Sequence, residues 1–491
     1  MLTAALDSSK ASLEKQHRVN QLIQPGTYYT IYGDGSEQKN NASSSDKLYL
    51  KIERDQFYAL YGDFDTDLNV TELSKYNRSF TGIRSEMELG PVSYSAFAAE
   101  NIHNYGKDEI RGDGTSGIYQ LSAKDLVINS EKIVIETRDR FRSEIIIETR
   151  TLDRHIDYSI DYVDGSLIFR EPIASNDSGF NPIFIVAEYE VDAAVKGGIT
   201  TGGRVAIKLM DDKVELGGSV IHDATKNAES NLIGADLNVK LDDKTTLRAE
   251  AATSTTSTPT GDVDGSAVIV EVEHATDKIK GKAYLRQQDS GFGVGQQSTS
   301  QSGTRKLGVE GQYSISEQVV IDATVYHEDL LTTDSKRDVV DANVKLSQDG
   351  YALTAGARMA RDRDSLNNAQ DSDLLLLGAS GGVFDNDLEL RANAEIGVGS
   401  SKDNPDYPSR FIVGGDYKLT DNTGLYAENE WTMGSAQDTQ MSRAGVRSSP
   451  WQGANVNTSF NRQIQENGVR TFSNLGLTQG FRISERWTGD V

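Results

Sequence analysis

The chain has 491 residues, 25% of them charged and 37% hydrophobic, and a formal net charge of −24. That acidic balance excludes a nucleic-acid backbone as the main partner, which needs a basic footprint. With no cysteine, disulfides, thiolate metal sites and a cysteine nucleophile are excluded as well.

Residues 1–24 read as an N-terminal segment, a short helix at most. Met1-Leu2-Thr3-Ala4-Ala5-Leu6-Asp7 lacks the basic and apolar regions of a signal peptide, so an export signal is expected upstream. Residues 25–104 read as the first strands of a large sheet. Tyr28-Tyr29-Thr30-Ile31-Tyr32-Gly33-Asp34 is echoed by Phe57-Tyr58-Ala59-Leu60-Tyr61-Gly62-Asp63. Aromatic residues close to strand ends, leading into Gly-Asp, read as an interfacial girdle before a ligand-facing ladder. Strands are expected near 47–54 and 57–64 with a tight turn at Arg54-Asp55-Gln56, and at 79–89 and 92–104 with a turn at Gly90-Pro91. The connection 65–78 is long. Within it, Asp63, Asp65, Asp67 and Asn69 alternate as in a calcium loop, but Leu68 stands where Gly belongs and Ser74 where the bidentate Glu belongs. An EF-hand is therefore rejected, leaving weak divalent-cation binding by acidic surface loops as an expectation.

Residues 105–200 break the pattern. Ile133-Val134-Ile135, Ile145-Ile146-Ile147 and Ile183-Phe184-Ile185-Val186 are the dense apolar runs of buried strands. Tyr158 to Tyr162 and Leu167 to Phe169 flank Asp164-Gly165, a strong hairpin signal. The segment reads as a small β-rich domain inserted between two strands, with Arg138, Asp139, Arg140 and Arg142 as a solvated face.

Period-two alternation dominates 201–491. Leu307, Val309 and Tyr313 oppose Lys306, Glu310 and Gln312; Leu388, Leu390, Ala392, Ala394 and Ile396 oppose Glu389, Arg391, Asn393 and Glu395. Many such segments reach the ~9–11 residues that a tilted membrane-crossing strand requires. Tight connections (Met210-Asp211-Asp212-Lys213, Asp242-Asp243-Lys244, Thr276-Asp277) alternate with longer polar ones at 223–231, 255–265, 288–304, 329–337, 362–372, 399–409 and 434–440. Short turns at one end and long loops at the other are the rhythm of an outer-membrane barrel. By that parity the inserted domain starts and ends on the long-loop side, which is expected to be extracellular; an inverted orientation would place it in the periplasm instead. Gly291-Phe292-Gly293-Val294-Gly295, with no following helix, reads as a flexible surface loop rather than a phosphate cradle. The chain stops at Arg486-Trp487-Thr488-Gly489-Asp490-Val491, a few residues into a new strand, so the barrel is expected to be truncated before closure.

The fold class that follows is all-β: a large antiparallel up-and-down transmembrane β-barrel of roughly 20 or more strands, with an inserted small β-domain. Composition and loop rhythm resemble Gram-negative outer-membrane barrels. The YGD echo, Glu109-Ile110-Arg111-Gly112-Asp113-Gly114-Thr115-Ser116-Gly117 and Asp157-Tyr158-Ser159-Ile160-Asp161-Tyr162 resemble large surface barrels grouped loosely with TonB-dependent receptors. That resemblance implies an N-terminal plug and energised uptake, although neither a plug nor a TonB box is legible in this sequence. Expected partners are outer-membrane lipid, lipopolysaccharide and the barrel assembly machinery, with the bacterial outer membrane as location and transport, secretion or surface display as role. The six histidines (His17, His103, His155, His222, His274, His327) are scattered, and no catalytic, cofactor-binding or metal-binding residues are assigned. The alternatives are a soluble or surface-attached all-β adhesion protein and, more distantly, an outer-membrane enzyme.

Overall fold

The structure is a computed structural model. It describes all residues except 7–28, 31–36, 39–43, 45, 101–102, 141, 155–156, 178–180, 193–197, 226–227, 298–300, 400–407, 434–437, 453, 466–467, 485–486 and 491. Among the described residues the elements are all strands, and no helix is long and apolar enough to cross a membrane.

A single sheet of 23 strands forms the body. Leu2–Leu6 pairs with Leu48–Arg54, followed by Phe57–Asp65, Ser79–Leu89 and Val92–Glu100, each antiparallel to the last. Val92–Glu100 then pairs with Ile199–Leu209, and from there every strand pairs with the next as far as Gly468–Ser484 and Trp487–Asp490. This is the up-and-down meander that unbroken alternation predicts. The first three early strands fall where the sequence places them, whereas the fourth, expected at 92–104, ends at Glu100, and His103–Arg111 belongs to a different sheet. The expected helical character of 1–24 does not hold for Leu2–Leu6, which is a sheet strand. The rest of that segment lies largely outside the described residues.

The loop rhythm needs correction. The hairpin of Val214–Thr225 and Ala228–Asp242 stays paired out to Thr225 and Ala228, and the next out to Thr258 and Gly261. Of the loops expected at 223–231 and 255–265, residues 223–225, 228–231, 255–258 and 261–265 are therefore ladder. Thr- and Ser-rich strand is polar on both faces, so its period-two signal vanishes although its backbone pairing continues. Ala228–Asp242 and Gly261–Ala275, fifteen residues each, run well beyond the ~9–11 needed to cross a bilayer.

The polarity of the sheet is inverted relative to a soluble protein. Leu307 and Val309 are 56% and 60% exposed, and Ile233, Val325, Met359 and Val413 lie on the same open face. The opposite face buries Glu250, Glu271, Lys306, Glu395 and Glu430, each less than 10% exposed. An aromatic belt rims the turn end of the open face at Tyr313, Tyr351, Phe384, Tyr417 and Trp451. A soluble sandwich buries its apolar face; a membrane barrel exposes it to lipid and keeps its polar face inside.

Candidate functional site

The polar interior is occupied. Strands Val92–Glu100 and Ile199–Leu209 are neighbours, with Glu100 opposite Ile199. Between them the chain leaves the sheet to build a module from His103 to Asp192. Its four-stranded sheet runs Ile146–Leu152, Lys132–Arg138, Ile183–Asp192, His103–Arg111, and a three-stranded sheet joins Tyr158–Asp161, Ser166–Phe169 and Tyr119–Gln120. The Asp164-Gly165 hairpin forms as expected, with Gly165 at φ 71°. Ile133, Ile185, Leu167, Tyr158 and Phe169 make a core separate from that of the barrel. Of the dense runs, Ile146 and Ile147 depart from expectation: they sit on an edge strand and are about half exposed.

The module does not stand clear of the barrel end. The turn at 139–145, closed by Arg142 N donating to Asp139 Oδ1 (2.8 Å) and Ile145 N to Arg142 O (2.8 Å), carries charges to the inner wall. Arg140 pairs with Glu395, Arg142 with Glu310, and Glu144 with Lys306 Nζ at 2.9 Å. Lys306 is also held by Glu328 (3.3 Å) and lies over the Tyr326 ring. Asp113, elsewhere on the module, meets Arg470 at 3.6 Å. These partners lie on wall strands far apart in the sheet order, so the module is surrounded rather than perched. A cavity of about 570 Å³ remains beside the tip, lined by Asp139 and Arg142 of the module and by Glu310, Asp341, Lys345 and Arg358 of the wall.

Dimensions agree with this. At ~4.8 Å between strands and ~40° tilt, a sheet of 23 strands closed on itself would enclose a cylinder ~45 Å across, or roughly 35 Å inside its side chains. A compact chain of roughly 90 residues has a radius of gyration near 12 Å, hence a diameter of about 31 Å. A module of that size would fill most of such a bore.

A second contact lies at its base. The connection 66–78 folds inward, burying Leu68, Leu73 and Tyr76 against Phe64, Phe80, Phe97, Ile221 and Leu232 of the wall. Its last residue, Arg78, is 1% exposed as a side chain and bridges Glu190 of the module (2.6 Å) and Asp223 of the wall (3.1 Å). Burial pushes the Glu190 carboxyl up while Arg78 pulls it down, leaving it above the usual carboxylate range. Within the module, burial alone would raise Glu109, but Arg138 and Lys107 override it and hold it at about 2. Burial and the neighbouring Arg140 depress the Arg111 guanidinium.

The residues singled out in the sequence therefore land unexpectedly. Arg138 is buried between Glu109 and Glu136, while Arg140 and Arg142 anchor the tip; none of the three belongs to a solvated face. Their density in one short run was the signal, and the distant partners Glu310, Glu395 and Lys306 carried none. The Asp63–Asn69 stretch is not an open acidic loop. Asp63 accepts a hydrogen bond from Thr81 (2.6 Å), Asp65 accepts one from Ser79, and Asp67 pairs with Arg84 (3.0 Å). Phe292 and Val294 of the Gly-rich loop are buried in the inner core, and Gly293 N donates to Ser254 Oγ (2.8 Å), so that loop is not a free surface loop. In the second YGD copy Leu60 faces the core, as does Phe64 just after it, whereas most of the first copy lies outside the described residues. His327 meets Asp338 and Asp329, and His222 meets Asn231; His17 and His155 lie outside the described residues. Among the described residues no group of three or more His, Asp or Glu is placed to hold a metal.

No protein-family model matches the chain, and no curated protein does. Solved structures show similarity at low identity. The P pilus usher PapC translocation pore is 13% identical over 89% of this chain and 86% of its own, with a TM-score of 0.43. The ferric-catecholate import receptor Fiu from E. coli K12 is 10% identical over 90% and 77%, with 0.37. Pseudomonas aeruginosa OpdL is 8% identical over 60% and 93%, with 0.34. Identities this low assign no activity to the chain.

Proposed function

We propose that this chain is a bacterial outer-membrane transport barrel whose bore is closed by its own inserted module. The observation that carries the reading is the inverted sheet, apolar outside and charged inside, with the 139–145 turn ion-paired to that charged wall. The apolar band would face lipid and lipopolysaccharide, and insertion would require the barrel assembly machinery. The end opposite the tight turns would face the cell exterior, so the module would enter the bore from outside. Its position between the strands ending at Glu100 and beginning at Ile199 differs from the N-terminal plug implied by a TonB-dependent receptor, and energised uptake is not part of the proposal. A soluble adhesin has no use for an exposed apolar band rimmed with aromatics.

Because Glu100 and Ile199 are paired neighbours, a short linker can replace residues 103–192 without straining the sheet. In planar bilayers the full-length chain should be nearly silent and the linker variant should conduct in large steps. Equal conductance from both, with each running as a heat-modifiable band in SDS, would contradict the closure reading.

A further inference from the structure

We infer that segment 66–78 is a fixed receptor for the module, and that Glu190 is the member of the Arg78 cluster that leaves when the module moves. This rests on the closure reading above. The module's ties to the barrel are mostly ion pairs: Arg140–Glu395, Arg142–Glu310, Glu144–Lys306, Asp113–Arg470 and Glu190–Arg78, with Arg78 also donating to His103 O at 3.2 Å and lying over the Tyr105 ring. Segment 66–78 is held differently. The backbone N–H groups of Glu72 and Leu73 donate to the Glu250 carboxylate at 2.9 and 2.8 Å. Tyr76 stacks on Phe97, with ring centroids 5.7 Å apart and planes 5° apart, and its hydroxyl donates to Asp223 at 2.8 Å. Gln297 of the 289–303 connection donates to Leu73 O at 3.2 Å. Apolar burial plus backbone hydrogen bonds cement this segment to the wall, whereas charged contacts alone can exchange for water and ions when a surface parts.

Arg78 stands at the junction of the two. Its Nε and Nη2 grip both Glu190 oxygens at 2.9 and 2.6 Å, a bidentate fork whose geometry is easily re-made. Its Nη1 holds Asp223, and its guanidinium lies 4.7 Å over the Phe80 ring. Taking one carboxylate from a buried arginine normally leaves an uncompensated charge, which is strongly destabilising. Here Asp223, on strand Val214–Thr225, stays behind with Arg78, so Glu190 can depart with the module and become hydrated. The cation is left compensated and positioned for its return. The two carboxylates thus have separate roles: Asp223 belongs to the receptor and Glu190 to the moving part.

Glu190→Gln and Asp223→Asn each remove one negative charge beside the same arginine, so a difference between them reports which side moves. Full-length variants, reconstituted into planar bilayers, should show at least a tenfold rise in opening frequency for E190Q, with an unchanged temperature of the heat-modifiable shift. D223N should lower that temperature and leave opening frequency at the wild-type level. Equal opening in both variants, or opening in D223N alone, overturns the inference. If neither opens while the R140Q/R142Q variant does, the receptor inference fails and the closure reading stands. If R140Q/R142Q is silent too, the closure reading fails with it.

Discussion

Replacing Arg140 and Arg142 together by glutamine cuts two of the ties that hold the module tip. Arg140 and Glu395 are 12% and 9% exposed as side chains, Arg142 and Glu310 13% and 25%, so both pairs sit between surface and interior. At an effective dielectric near 20, each pair gains about 4 kcal/mol of Coulomb energy at ~4 Å. Desolvation offsets much of it, and close pairs at interfaces couple by about 1.5 kcal/mol or more. Taking ~1.5 kcal/mol for each gives ~3 kcal/mol in all, which multiplies the open-to-closed ratio by roughly 150 at ~1.4 kcal/mol per tenfold. The assay is opening frequency in planar bilayers at moderate salt. Because the ties are ionic, wild-type opening should also rise with ionic strength, and the double variant, which keeps the Glu144–Lys306, Asp113–Arg470 and Glu190–Arg78 pairs, should show a weaker dependence. Charge exchange of one pair, Arg142→Glu with Glu310→Arg, should restore closure. A double variant that keeps its heat-modifiable barrel yet opens no more often than wild type would refute the reasoning.

Other outcomes follow from the same contacts. Glu109 has a folded pKa of about 2, below its ordinary 4.5, so its contribution to module stability is complete above pH 4.5 and is lost as pH falls toward 2. Protease cleavage within 103–192 should therefore rise over that window, and Glu109→Gln should flatten the rise. Gly165→Ala places a methyl group 2.1 Å from Ala123 O at φ 71°, which should destabilise the module by about 2 kcal/mol or more and speed its proteolysis, with barrel mobility in SDS unchanged. Val309→Arg on the open face should weaken barrel folding in lipid vesicles by about 2–4 kcal/mol, whereas Gln312→Arg on the inner face should cost about 1 kcal/mol or less.

The sheet was legible because its alternation is a local property: Lys306, Glu310 and Gln312 announce an inner face without reference to any other strand. Strand length was less legible. Thr255 to Thr258 is polar on both faces and reads as loop, yet its backbone pairs fully with residues 261–264. The module's existence and its Asp164-Gly165 hairpin were visible as a change of period. Its seat was not, since nothing near Arg140 or Arg142 in the sequence indicates Glu395 or Glu310, 255 and 168 residues away. Charged residues on a strand's polar face look alike whether they meet water or a partner across a bore. The inward course of 66–78 was hidden for a related reason: its acidic residues suggested surface, while the decisive residues were the sparsely spaced Leu68, Leu73 and Tyr76.

Because the chain contains no cysteine, single cysteines can be placed cleanly along strand Thr304–Ser314 and labelled with an environment-sensitive fluorophore in vesicles containing nitroxide lipids. Labels at 307, 309 and 313 should be quenched by the lipids, and labels at 306, 310 and 312 should not. Quenching that fails to alternate, or labels that all report water, would contradict a barrel with its apolar face in the membrane.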